Sequence, residues 1–318
     1  VSSPDLAIVV VTWNVRDLAL DCLESACADI ERGGLRAQVW VTDNASHDGT
    51  AQAIADRFPQ ARLIASPTNL GFAGGNNVAL RAMGFGEHGA AIPHAVLLLN
   101  PDTRVQPGAL SELLRALDGQ PQAGIVGARL VYGDGSFQHS AFAFPGLAQL
   151  IIDLFPVPGR LREGRLNGRY PQRLYAGREP FRVDHPLGAA MLVRGEAIRQ
   201  VGLLDERFHI YCEEIDWAWR MREAGWLAYC APTAEIVHYA GQSTQQARPQ
   251  MVVALWASRL RLYALHYGPP KNHLARLIIR AGMNRRIQAA ARDPSQDEEM
   301  RRALIDAYRE VIRLTRQA

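Results

Sequence analysis

No stretch of this 318-residue chain is both long and apolar enough to cross a bilayer, which takes about 20 residues. The best apolar segment, 146–158, is interrupted by Asp153 and flanked by prolines. No charged leader followed by an apolar run opens the sequence, so the expectation is a cytoplasmic protein, at most peripheral on the inner face of a membrane. Cysteine is scarce. Cys22, Cys27, Cys212 and Cys230 form no CxxC pair and no zinc-type spacing, which excludes a disulfide scaffold and implies reduced thiols. Net charge is also small, +3 from 35 basic and 32 acidic residues, so the chain as a whole is no nucleic-acid binder. Three nucleotide or nucleophile signatures are missing: GxGxxG after a first strand, GxxxxGK[ST], and GxSxG. Internal repeats and low-complexity tracts are missing too.

What remains is ordinary globular composition, 48% hydrophobic and 21% charged, enough for one large domain or two modest ones. The charge is unevenly spread. Residues 248–318 carry 14 basic and 6 acidic groups, while the first 247 carry 21 and 26. An acidic body suits a metal or a polar ligand, and the basic tail faces something else.

The run Leu6-Ala7-Ile8-Val9-Val10-Val11-Thr12 predicts a strand covered on both faces. Helical spacing over 15–30 follows, then strands at 37–42, 61–65 and 95–99, with helices at 50–58 and 74–83 between them. Such alternation predicts an α/β fold with a mainly parallel sheet, in which ligands bind outside the carboxyl ends of the strands. Three of those ends are rich in polar oxygen: Thr12-Trp13-Asn14, Asp43-Asn44-Ala45-Ser46 and Asn100-Pro101-Asp102. One such end would be a loop; three on one rim make a candidate site. From 133 to 183 regularity fades among prolines, glycines and arginines, which predicts an irregular excursion or lid. A small-residue strand at 187–194, a helix at 213–224 and a strand at 226–230 follow, and beyond Gly241 the pattern is helical. The expected domains are therefore 1–245, holding the site and the lid, and a basic helical region, 246–318.

Several side chains in this frame carry chemistry. Asp102, just after a strand, suits a divalent cation that also binds a diphosphate, although Asn-Pro-Asp equally makes an ordinary turn. Glu213, Glu214 and Asp216 open a helix, where its dipole favours acidic residues without any further role. Adjacent glutamates lie about 100° apart on that helix, so one can anchor it while the other faces a cleft. Crowding by Asp102 or Asp216 would raise the pKa of such a carboxylate toward that of a general base. The helix is expected to bury Trp217, Met221 and Ala224. His238, after a short apolar run and before Gly241, can supply a neutral imidazole to a metal or simply be packed. The Gly-rich segment 69–77 opens a helix and offers backbone N–H groups to a polar ligand.

Taken together, Val9-Val10-Val11-Thr12-Trp13-Asn14, Asp43-Asn44-Ala45-Ser46, Asn69-x-Gly71-Phe72-Ala73-x-Gly75-Asn76 and Asn100-Pro101-Asp102 resemble the family 2 glycosyltransferases. Within that family the chain is similar to the bacterial rhamnosyltransferase-type branch that builds cell-envelope polysaccharides, over about residues 6–240. The resemblance implies a GT-A fold, a nucleotide-diphosphate sugar donor, a divalent cation (Mg²⁺ or Mn²⁺) and inversion at the anomeric carbon. It places Thr12, Asn14 and Asp43 on the nucleoside, with Asp43 on the base, and Asn69, Gly71, Phe72, Gly75 and Asn76 along the nucleotide pocket. Asn100 and Asp102 fall at the family's acidic metal motif, of which this sequence keeps only the last acid. The resemblance implies Glu214 as base, with Glu213 and Asp216 beside it, and His238 as second metal ligand. Gly188 and Ala189, in Leu187-Gly188-Ala189-Ala190, match the small-residue segment where an acceptor approaches. The implied partners are the donor and a glycan or lipid-linked acceptor, with peripheral membrane contact through the basic tail, no nucleic acid, and a homo-oligomer left open. L-rhamnose from dTDP-rhamnose is the first donor, with UDP-hexose, UDP-galactofuranose and GDP-mannose behind it. Two rivals are a sugar-1-phosphate nucleotidyltransferase, whose Gly-rich first loop is missing after strand one, and a non-catalytic nucleotide-sugar-binding subunit.

Overall fold

A computed structural model describes residues 4–87, 89–240, 248–293 and 297–317, and its chain divides into two units. The first comprises Val1–Phe144, Tyr170–Arg207 and Glu213–Ser243; the second comprises Pro145–Arg169, Phe208–Cys212 and Thr244–Ala318.

The first unit opens with β1 (Leu6–Thr12), α1 (Arg16–Gly33), β2 (Ala37–Asn44), α2 (Thr50–Arg57), β3 (Arg62–Ser66), α3 (Gly71–Ala82) and β4 (Ala95–Leu99). This is the expected alternation, with α3 beginning three residues early. Three elements that the sequence reading passed over come next: β5 (Thr103–Val105), α4 (Ala109–Asp118) and β6 (Ala123–Val131). In β1 the period of two separates two cores. Leu6, Ile8 and Val10 join the cluster under α1 and α4, whereas Ala7 and Val9 join the cluster under α3 and, further on, Trp217 and Met221. Burying each large aliphatic side chain stabilises the fold by about 1.5–3 kcal/mol.

The stretch 133–183 is not one irregular excursion. It holds β7 (Phe137–Gln138), β8 (Ala141–Phe142), α5 (Leu147–Leu154), α6 (Gly159–Arg162), α7 (Gln172–Tyr175) and β9 (Phe181–Val183). Its middle part, 145–169, groups with the second unit. The apolar segment around 146–158 is α5, an amphipathic helix that buries Leu150, Ile152 and Leu154. The rest of the first unit is β10 (His185–Pro186), β11 (Ala190–Arg194), α8 (Gly195–Val201), α9 (Glu213–Glu223) and β12 (Leu227–His238). The expected strand from 187 is thus shorter. The one expected at 226–230 is instead 12 residues long and runs through to His238. Pro232 hid that continuity, because proline cannot donate to a ladder. The register shift between Ala231 and Glu235 absorbs it as a bulge.

The main sheet has the order β3-β2-β1-β4-β11-β6-β12-β5. β3, β2, β1 and β4 run parallel; β11 is antiparallel to both β4 and β6, and β12 is parallel to β6. Six of these strands therefore point one way, and their carboxyl ends share one rim. α9 buries Trp217 and Met221 as expected, but Ala224 is exposed and Ala218 is buried instead.

In the second unit, α10 (Arg248–His266), α11 (Pro269–Arg292) and α12 (Glu298–Gln317) join α5. The expected start of a helical region at 246, like Gly241, lies outside the described residues. A Cβ on Gly282 of α11 would fall 2.7 Å from Leu154 Cβ, so only glycine admits α5 that closely. Asp153 pairs with Arg259 at 2.8 Å, and Arg259 also lies over buried Trp256. Among the described residues, no helix is long and apolar enough to cross a membrane.

Candidate active site

Sheet register, not sequence proximity, assembles the rim. Thr12 pairs with Asp43 across β1 and β2, and Val10 pairs with Leu99 across β1 and β4, which sets Asn100 at the same edge. Because β11 runs antiparallel, with Ala190 opposite Leu99, its amino end reaches that rim as well. The Asn100 amide accordingly donates to Ala189 O at 2.9 Å.

At the ends of β1 and β2 the loops lock one another. The Asn14 amide donates to Ser46 Oγ at 2.9 Å, and the His47 amide donates to Asn14 Oδ1 at 2.7 Å. The Ser46 amide donates back to Asp43 Oδ2 at 3.0 Å, closing an Asx-type turn. Asn14 and Ala45 hold left-handed φ values of 51° and 59° within these turns. Thr12 Oγ1, Asp43 Oδ1 and Asn44 Oδ1 are buried without a hydrogen-bond partner. A buried unpaired polar atom costs about 1–3 kcal/mol, so such atoms at a rim are suited to a polar ligand.

α3 closes on this edge. Asn44 Nδ2 donates to Gly71 O at 3.0 Å, and the Gly71 amide donates to Asn69 Oδ1 at 2.9 Å. A Cβ at Gly75 would lie 2.6 Å from Val11 Cγ1, so the helix approaches β1 closely only because that residue is glycine. Asn76 is buried, with Nδ2 donating to Phe72 O inside the helix, and Phe72 packs against the second core cluster. The structure brings Thr12, Asn14, Asp43, Asn69 and Gly71 together, while Phe72, Gly75 and Asn76 support them from within α3.

The other part of the rim is built from β5 and β12. Their antiparallel pairing sets Thr103 opposite His238, and the Tyr239 amide donates to Asp102 O at 2.9 Å. Asp102 is thereby drawn beside His238, with Oδ1 3.5 Å from Nε2 and both side chains nearly buried. The turn is held from below by the Thr103 hydroxyl and the Cys22 thiol, which both donate to Asn100 O. Burial pushes that thiol up to about 12, so Cys22 stays protonated and unreactive. None of the four cysteines forms a disulfide.

Glu213 and Glu214 occupy the first turn of α9, directly after Tyr211 and Cys212 with φ of 70° and 69°. Two consecutive left-handed residues that are not glycine cost about 1–2 kcal/mol each, and they fix where the helix starts. Glu213 is buried with Oε2 unpartnered; burial first, then the charge of Glu214, holds its carboxyl well above the usual range. For Glu213 the causes are burial and Glu214, not Asp102 or Asp216. The Asp216 carboxylate is committed to Arg220 at 2.7 Å, and Arg220 also ties the loop after α8 through Leu203 O. Glu214 is half-buried, and a Cβ at Gly188 would sit 3.5 Å from its Cβ and Cγ. Gly188, itself half-buried, thus lies against Glu214, while Ala189 is buried in the core.

Asp102 and His238 offer one carboxylate oxygen and one imidazole nitrogen, a donor pair that suits Mn²⁺ or Mg²⁺. No group of three or more His, Cys, Asp or Glu ligands occurs among the described residues, so a cation there would complete its shell from oxygens of a bound ligand or water. Two contributors escaped the sequence reading. Ser46 was legible from the Asx spacing to Asp43. Gln138, which hydrogen-bonds His238 Nδ1 at 3.2 Å, sits in a two-residue strand with no sequence signal at all.

Residues 7–194 match the family model described as Glycosyl transferase family 2. The N-acetylglucosaminyl-diphospho-decaprenol L-rhamnosyltransferase of Mycobacterium tuberculosis is 33% identical over 242 residues, spanning 75% of this chain and 77% of that protein. Among solved structures, a mannosyltransferase from Pyrobaculum calidifontis in complex with GDP-Man and Mn²⁺ superposes with a TM-score of 0.57 at 16% identity, over 99% of this chain and 87% of that one. GalNAc-T7 with UDP, GalNAc and Mn²⁺ gives a TM-score of 0.60 at 12% identity, over 98% of this chain and 56% of that one. These likenesses establish the GT-A fold. By its sequence and its fold together, the chain belongs to glycosyl transferase family 2 and is a rhamnosyltransferase-like glycosyltransferase.

Proposed function

We propose that the enzyme is an inverting, metal-assisted glycosyltransferase that moves L-rhamnose from dTDP-rhamnose to a hydroxyl of a lipid-linked glycan acceptor of the cell envelope. The observation that carries the mechanism is the rim itself: unpaired Thr12 and Asp43 oxygens at one end, Asp102 against His238, and Glu214 beside Gly188. Thr12, Asn14 and Asp43 take the nucleoside, the unpaired Asp43 Oδ1 accepting from the base and Asn69 and Gly71 fixing the pocket wall. Asp102 and His238 would hold the divalent cation, which offsets negative charge on a departing diphosphate. Glu214 accepts the proton of the acceptor hydroxyl and directs it at the anomeric carbon from the face opposite the diphosphate, which inverts that centre. Glu213 stands one residue away, its carboxyl held well above the usual range by burial and then by the charge of Glu214.

The rhamnose donor and the lipid-linked acceptor are favoured by the mycobacterial relative, whose name carries both. A UDP-hexose or a GDP-mannose donor on the same rim is the second reading, favoured by the ligands of the two solved structures. A peripheral membrane contact fits the second unit, which carries 18 basic against 8 acidic residues and exposes Leu265, Leu274 and Leu277. Thermal unfolding with dTDP, UDP and GDP, each with and without Mn²⁺, tests the donor site. A ligand at 100 times its Kd adds about 2.7 kcal/mol. A Mn²⁺-dependent rise with dTDP is expected; a rise with UDP or GDP alone would move the donor to the second reading, and no rise with any would overturn the donor site.

A further inference from the structure

We propose that Gln138 is a positioning residue for His238: its amide oxygen holds the imidazole in the tautomer that leaves Nε2 unprotonated and facing Asp102. The inference rests on the reading of Asp102 and His238 as a cation site. The sheet delivers the contact. Leu130 of β6 pairs with Gln138 of β7 on one side and with Ile236 of β12 on the other. Side chains at paired positions, and at every second residue along a strand, share a face. Gln138 and His238 therefore emerge on the same face and reach each other over Leu130, closing to 3.2 Å between Oε1 and Nδ1. Both are buried, so solvent does not compete for either atom.

That geometry selects one proton position. With the proton on Nδ1, the ring donates to Gln138 Oε1, and the lone pair of Nε2 points at the space beside Asp102 Oδ1, 3.5 Å away. With the proton on Nε2, the ring would turn an N–H toward Asp102 Oδ1, occupy the cation's approach and set the Nδ1 lone pair against Gln138 Oε1 unless the amide turned over. The amide oxygen thus works against the pull of the Asp102 carboxylate and favours His238 as a ligand before any cation arrives. Loss of such an outer partner typically costs 10–100-fold in metal affinity. Nothing in the sequence announces this, because Gln138 and His238 are 100 residues apart and β7 is two residues long.

The test uses the full chain with its histidines ¹⁵N-labelled, at a pH where imidazole is neutral. Two-bond ¹⁵N–¹H correlations report the tautomer of each of the 9 histidines, and the His238→Gln variant assigns the His238 signals. Titration with Mn²⁺ alone then reads the site through paramagnetic broadening. The wild type is expected to show the Nδ1–H tautomer at His238 and broadening of its signals. Gln138→Met, which keeps the volume but removes the acceptor, should shift His238 toward Nε2–H and raise the Mn²⁺ midpoint about 10-fold or more. Gln138→Glu, which keeps an acceptor oxygen, should retain the wild-type tautomer; a merely space-filling role would leave the two variants alike, so the contrast between them is the test. An unchanged tautomer and midpoint in Gln138→Met would overturn the proposal and leave the cation site standing. If Mn²⁺ broadens His238 in neither protein, the cation-site reading itself fails and this proposal falls with it.

Discussion

At the carboxyl ends of β1 and β2 the loop atoms are tied to one another: Asn14 to Ser46 and His47, Ser46 to Asp43, Asn44 to Gly71. At the other end of the same rim, acidic groups are gathered. Asp102 lies 3.5 Å from an imidazole, and Glu213 is buried next to a second glutamate. The first arrangement is rigid and leaves a few defined oxygens for a ligand to satisfy. The second gathers the groups that the proposed function assigns to a cation and an acceptor hydroxyl. A binding surface benefits from preorganised hydrogen bonds, while a reacting surface needs groups whose charge changes during turnover. One sheet edge supplies both because its register brings β1, β2, β4, β11 and β12 to a common level.

Substitutions should separate the two ends. The largest effect is expected at Glu214: Glu214→Gln should lower turnover by about 10²–10⁴-fold and leave nucleotide affinity unchanged. Asp102→Ala should weaken Mn²⁺-dependent nucleotide binding by about 10–100-fold, measured calorimetrically with and without the cation, with cation-free affinity preserved. Gly188→Val places methyl groups beside Glu214 and should raise the acceptor KM about 10-fold at constant donor affinity; a change in donor affinity instead would move Gly188 to the binding end. Asp43→Ala removes the turn acceptor as well as the free oxygen, so it should cost about 1–2 kcal/mol of stability in denaturant titration and weaken nucleotide binding without cation dependence.

The smallest effect concerns Glu213 and pH. Its folded-state pKa lies above the unfolded value, so between the two the folded chain holds a proton that the unfolded chain has released. Stability from this group therefore falls as pH rises from the ordinary carboxylate value to the raised one, then levels off. Glu213→Gln should flatten that part of the profile, seen as a Tm that declines less with pH than in the wild type. An identical slope in both proteins would return Glu213 to ordinary ionisation.

The binding end was the more legible in sequence. Thr12, Asn14, Asp43 and Asn69 lie within a few residues of strand ends, and strand ends follow from apolar runs and turn chemistry. The early alternation from β1 to β4 was equally plain. The reacting end was less so, because tertiary pairing builds it. Pro232 broke the pattern of β12, so nothing local showed that His238 ends a 12-residue strand alongside Asp102. Stretches of weak periodicity hid β7, β8 and α5, and with them Gln138. Adjacent glutamates announced that one would be buried, but only packing decided that it was Glu213.

The most direct measurement sets binding against turnover in one pair of proteins. Wild type and Glu214→Gln would be titrated with dTDP and Mn²⁺, and the same preparations assayed for rhamnose transfer from dTDP-rhamnose to a lipid-linked acceptor. The account predicts equal nucleotide affinity with turnover reduced by about 10²-fold or more. Near wild-type turnover in Glu214→Gln, with binding intact, would contradict it and leave the rim without its base.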